Sequence, residues 1–272
     1  MVAASCPHRY TLAAMKSCIE TARRVYVAAW TRELAAEGLT SVKVPRVVFF
    51  AGPVKNPCLD LTAGDVAEAS FWCGKNSTVY VSLTAAPYWT TNYARAAATR
   101  KVLASDAVAA GTSAADLKGG YPLVGATTEF AHELGHWVQQ VTGQMAWYDA
   151  RVKSSDFTVS NKAQSSAELA ADCFAGWIQG RTAADGTWVD TAIGRWAHHA
   201  TMAELGGDVD AVSKGFVFPP EKPADIIGYG SAYTRIKLYD GGQAAGRAGK
   251  PGVATCSGGV ATYLHADAPP LP

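Results

Sequence analysis

The chain has 272 residues, about half of them hydrophobic, with 17% charged and a formal net charge of +1. That length can bury a sizeable core, and so low a charge content excludes an intrinsically disordered chain. No basic cluster marks a nucleic-acid surface, and no run of eighteen apolar residues marks a membrane span.

Met1 to Tyr10 have neither the length nor the apolar stretch of a secretion signal, so an exported product is expected to carry a targeting segment that this chain leaves off. The first element is a helix over 11–37, in which Leu12, Met15, Ile19, Ala22, Tyr26 and Ala29 keep helical spacing and Gly38 ends the run. Its expected role is to buttress the core. A strand follows over 44–50. A second over 78–83 sets Val79, Val81 and Leu83 in alternation with Thr78, Tyr80 and Ser82, and it is expected to line the cleft. Helical spacing returns over 93–109, and a Gly- and Ser-containing connection over 111–120 leads to the most informative stretch.

That stretch is His132-Glu133-Leu134-Gly135-His136. Thr127 or Thr128 can cap a helix there, Phe130, Leu134, Trp137, Val138 and Val141 recur at helical spacing, and Gly143 offers a stop. On a helix, residues four apart share a face, so the two imidazoles can close on one zinc ion with Glu133 beside the water it activates. Gly135 between them allows close approach of another backbone, which would offset the roughly 1 kcal/mol that glycine costs in a helix.

A catalytic zinc site usually needs a third protein ligand. Trp137 to Gly143 contain no histidine, which rules out a third histidine on the same helix. After a polar, irregular stretch over 144–160, the segment from Ser165 to Trp177 supplies serine caps, helix-forming alanines and two carboxylates four apart. Glu168 is the expected third ligand, and Asp172, one turn on, can accept the free ring N–H of a ligand histidine.

Beyond this helix, residues 191–205 read as helical and contain His198 and His199. Adjacent histidines point about 100° apart, so they cannot pair on a metal as residues four apart do, and they are read as surface or partly packed. His8 and His265 fall in terminal arms. A short helix over 231–239 carries Arg235, and the proline-rich tail from Ala266 is read as mobile.

With both helices in hand, the chain resembles the bacterial neutral zinc metallopeptidases. Their signature pairs His-Glu-x-Gly-His-x-Val-Gln with a later Glu-Leu-x-Ala-Asp-Cys-x-Ala-Gly. Here these run from His132 to Gln139 and from Glu168 to Gly176. The resemblance reaches upstream to Phe71-Trp72-Cys73 and Thr78-Val79-Tyr80-Val81, and downstream to Gly230-Ser231, Arg235 and Cys256, so it spans roughly 46–256. It implies a gluzincin-like site in which His132, His136 and Glu168 hold zinc and Glu133 is the catalytic acid–base. One departure stands out: where the family tends to carry His-Gly-Thr-Ser, this chain has Tyr229-Gly230-Ser231-Ala232. If the family histidine stabilises the transition state, Tyr229 would do so here through its phenol O–H, with Arg235 as a second candidate donor.

Six cysteines, at 6, 18, 58, 73, 173 and 256, permit fifteen pairings. Proximity in sequence favours Cys6 with Cys18 and Cys58 with Cys73, leaving Cys173 for Cys256, the pairing that the resemblance also favours. The competing reading is small buried thiols in a reducing cytosol.

The expectation is therefore an α+β, predominantly helical, zincin-like metallopeptidase with a small β-sheet. It is read as one domain over 1–272, with an N-terminal buttress over 1–45, a zinc peptidase core over 46–256 and a tail over 257–272. The expected activity is zinc-dependent hydrolysis of peptide bonds in peptide or protein substrates, with no nucleic-acid partner, in a secreted or cell-envelope setting. Two alternatives stay open: a catalytically reduced, secreted zinc-binding scaffold, and a zinc amidase acting on cell-wall peptides.

Overall fold

Thr11 accepts a hydrogen bond from the Ala14 N–H and so opens helix α1 (Leu12–Ala36), which closes at Glu37 before Gly38 turns to φ +91°. The computed structural model describes residues 5–6, 11–51, 54–55, 57–58, 70–83, 113–188, 194–195, 197–199, 202, 230–264, 266 and 268–269, with backbone alone over 114–122. The sequence readings at 93–109, at His8, at His265 and at Tyr229 lie outside the described residues, as does most of the helix expected over 191–205.

Three strands form one small sheet: β1 (Arg46–Phe50), β2 (Phe71–Cys73) and β3 (Thr78–Ser82), in the order β1-β3-β2. β1 runs parallel to β3, with Arg46 opposite Thr78 and Phe50 opposite Ser82, whereas β2 pairs antiparallel through Phe71 opposite Tyr80. The alternation expected of β3 does not give one wet face. All five of its residues are buried, because it is the central strand and is covered on both sides.

Five further helices complete the described fold: α2 (Ala114–Val141), α3 (Gln144–Val152), α4 (Phe157–Ala184), α5 (Ala232–Arg247) and α6 (Gly252–Leu264). Several differ from the sequence expectation. α2 begins well before Thr127 and Thr128, absorbing most of the expected connection; both threonines sit inside it and turn their hydroxyls back to the Val124 carbonyl. The stretch expected to be irregular after Gly143 contains α3. α4 is capped by Asp156, whose carboxylate accepts from the Thr158 and Val159 N–H groups, so Ser165 and Ser166 are interior rather than capping residues. α5 extends eight residues past the expected end, and α6 was not anticipated.

α4 is the hub. Its Phe174 and Trp177 pack on Trp30 of α1, with ring centroids 5.5 and 4.4 Å away, and the Trp177 indole N–H donates to the Lys250 carbonyl. Truncating any of these rings would cost about 3–5 kcal/mol. Along the α4–α5 seam, a side chain at Gly176 or Gly180 would run into the backbone of Tyr239 or Gln243, and one at Gly242 or Gly246 into the backbone of α4. The helices therefore meet backbone to backbone. Glu33 of α1 accepts from the Gly252 N–H at the start of α6.

Disulfides join Cys6 to Cys18, Cys58 to Cys73 and Cys173 to Cys256, the three pairings read from the sequence, and no cysteine is free among the described residues. Such bonds persist in oxidising compartments outside the cytoplasm. Among the described residues, no helix is long and apolar enough to cross a membrane.

Candidate metal centre

α2 and α4 meet at two small residues, Gly135 and Ala171. A Cβ at Gly135 would lie 2.8 Å from the Ala171 Cα and 2.9 Å from its carbonyl oxygen, so only glycine lets the two helices come this close. The crossing brings one face of each helix together. His132 and His136 stand one turn apart with ring centroids 4.9 Å apart and nearly perpendicular. Glu168 Oε2 lies 3.3 Å from His132 Nε2 and 3.7 Å from His136 Nε2. One ligand atom from each of the three residues falls within 4.8 Å of the others, a cluster that could hold a metal ion.

Each imidazole is held from behind. His132 Nδ1–H donates to Asp172 Oδ1 at 2.8 Å, and Arg235 of α5 grips Asp172 with two bonds of 2.5 and 2.9 Å. His136 Nδ1–H donates to Gln139 Oε1 at 2.9 Å, while the Gln139 amide donates to the Ala167 carbonyl of α4 at 2.7 Å. With Nδ1 occupied as a donor in both rings, Nε2 is the nitrogen of each that faces Glu168 and that would bind a metal once its proton is lost. Two imidazole nitrogens and a carboxylate oxygen are a donor set suited to zinc. Gln139 falls within the motif quoted from the sequence but had been given no task; its i, i+3 spacing from His136 was the available signal.

The electrostatics match this geometry. Burial alone would lower the His132 pKa, but the charge of Asp172 and hydrogen bonds to Asp172 and Glu168 override it and push the value up to about 10. His136 is likewise raised despite burial, chiefly by Glu168. Burial works to raise the Glu168 and Asp172 carboxyls, yet His136 and His132 hold the first, and Arg235 and His132 the second, well below the usual carboxylate range. Glu133 is the exception: burial dominates over the pull of His136 and His132, and its carboxyl is pushed up to about 7.

The cluster opens into a cleft of about 560 Å³. Ser70, Phe71 and Trp72 border it, so the strand beside the cleft is β2 at the sheet edge and not β3, as the sequence reading had it. A carboxylate of α2 fixes that edge: Glu129 Oε1 accepts from the Ser70 N–H at 3.1 Å, and Ser70 Oγ accepts from the Ser82 N–H. Residues of α3 border it as well. Arg235 also borders the cleft, but its guanidinium is already committed to Asp172. The other histidine pair is a correction, since neither is on the surface. His198 is buried and stacked on Tyr239 at 4.0 Å, where burial pushes its pKa down to about 3, and His199 Nε2 meets Asp240 at 2.9 Å.

A search of curated proteins and a search of solved structures each gave no match. A family model does match. The fit begins at residue 122, so Phe71-Trp72-Cys73 and Thr78 to Val81 lie outside it, while both helix motifs lie within. Residues 122–251 fit the model described as putative neutral zinc metallopeptidase, and the family likeness read from the two motifs therefore extends across that whole segment.

Proposed function

We propose that the chain is a zinc-dependent endopeptidase with a zincin-like active site of the gluzincin type, in which His132, His136 and Glu168 hold the metal. The observation that carries this is the convergence of His132 Nε2, His136 Nε2 and the Glu168 carboxylate, with each ring's Nδ1 engaged from behind. Zinc in such a donor set supplies Lewis acidity, which lowers the pKa of a water from about 15.7 towards 7.

The chain's own groups do the rest. Glu133 stands one residue from His132 on the same helix turn, only 8% exposed, and its carboxyl, raised to about 7, can take a proton and return it near neutrality. It accepts the proton of the attacking water and hands it to the leaving amine as the peptide C–N bond breaks. Asp172 and Gln139 hold the two imidazoles in the tautomer that presents Nε2, and Arg235 holds Asp172. The β2 edge beside the cleft offers backbone groups that can align an extended peptide. Tyr229 is retained as a candidate oxyanion donor on the strength of its position before Gly230 and Ser231. The three disulfides support a secreted or cell-envelope setting.

The test is hydrolysis of casein or gelatin by the purified protein with its metal content measured alongside. One zinc per chain with proteolysis abolished by a chelator and restored by zinc supports the reading. Zinc at that stoichiometry with no hydrolysis of any unfolded protein overturns the peptidase assignment.

A further inference from the structure

One wall of the cleft is a helix face to which the proposed chemistry gives no task. Met145, Tyr148, Asp149 and Val152 of α3 stand at i, i+3, i+4 and i+7, and all four border the cleft. Three of them are apolar or aromatic in body. Tyr148 is buried, and Val152 is 40% exposed although it lies beside the cleft. Phe71 and Trp72 of β2 border the same cleft.

Among the described residues, Asp149 differs from the other acids that border this cleft. Glu133 and Glu168 face the two histidines, and Asp172 is neutralised by Arg235. Asp149 is exposed and has no ion pair or hydrogen-bond partner of its side chain among the described residues. Arg151, the basic residue in the last turn of α3, lies over the Trp147 ring at 3.6 Å instead. An uncompensated carboxylate on an otherwise apolar wall favours a cation and disfavours an anion.

Resting on the peptidase reading, we propose that the cleft selects peptides that carry a cationic side chain beside an apolar one. The apolar group packs against Met145 and Val152, and the ammonium or guanidinium is read by Asp149. The two subsites lie on adjacent turns of one helix, about 5–6 Å apart, which is the scale of neighbouring side chains on a bound peptide.

The experiment measures binding without turnover, on the zinc-loaded Glu133→Gln chain. Fluorescent peptides built around a common apolar residue differ only in carrying Lys or Glu at each flanking position in turn. Expected is one position at which the Lys peptide binds about fivefold or more tightly than the Glu peptide, the upper range for an exposed charge pair. That ratio should fall towards one when Asp149→Asn is added and invert with Asp149→Lys. Equal affinities at every position, or a ratio that survives Asp149→Asn, overturns the proposal. Turnover of the same peptides by the zinc-loaded wild-type chain is read separately: its absence would count against the peptidase reading, while the affinity ratio would still decide the role of Asp149.

Discussion

At the scale of single residues, the account turns on which atoms are donors and which are left free. Glu133→Gln keeps a side chain of the same shape beside His132 but removes the proton acceptor. It should retain one zinc per chain and lose about 10²–10⁴ in turnover, checked by metal analysis and a quenched-peptide assay on the same sample. Asp172→Asn removes the charge that holds the His132 ring, and Gln139→Ala removes the acceptor of the His136 Nδ1–H, with the proposed ligands left in place. Each should weaken zinc binding about 10–100-fold in a competition titration with a chromophoric chelator. Zinc binding should also depend on pH in a definite direction. His132, raised to about 10, and His136, also raised, must both lose a proton to bind metal. Affinity should therefore climb as the pH rises towards 10, by up to about tenfold per unit for each proton displaced, and a flat profile would contradict the displacement of protons from these two rings.

The helices decide whether those residues meet. Gly135 allows α2 onto α4, and Gly176 allows α4 onto α5, which carries Arg235 to Asp172. Gly176→Ala would drive a methyl group into the Tyr239 carbonyl and should cost about 1–3 kcal/mol in chemical denaturation, with zinc affinity falling as Arg235 is displaced. Much of the site was legible in the sequence because a period of 3.6 residues fixes which side chains share a face: His132 with His136, and Glu168 with Asp172. α1 was legible for the same reason, with a threonine at one end and Gly38 at the other. The start of α2 was misread because Thr127 and Thr128, good capping residues in isolation, satisfy their hydroxyls inside a longer helix. α3 and the early start of α4 were hidden by polar composition, although Asp156 before Thr158 and Val159 was a capping signal in plain view. That β2 and not β3 borders the cleft depends on strand order, which no local pattern encodes.

Across the whole molecule, distant segments are tied to the metal-centre helix. The Cys173–Cys256 disulfide closes a loop of 83 residues next to Asp172 and joins α6 to α4. By the chain-entropy model its loss removes about 4–5 kcal/mol, so Cys256→Ser should lower the melting temperature by several degrees and make zinc retention more sensitive to heat, read by calorimetry on the zinc-loaded protein. This bond has no local signature in the sequence: it was read as the pair left over once neighbouring cysteines were joined, with a family likeness beside it. Its physical basis is the packing of α6 across α4, where Trp177 and Glu33 anchor the turn that leads into Gly252.

Whether His132, His136 and Glu168 share one zinc ion is answered by anomalous diffraction at the zinc absorption edge from crystals grown with the metal. A single strong peak is expected about 2.0–2.2 Å from His132 Nε2, His136 Nε2 and a Glu168 carboxylate oxygen. A peak at other side chains, or none at this crossing of α2 and α4 in a zinc-replete crystal, would contradict it.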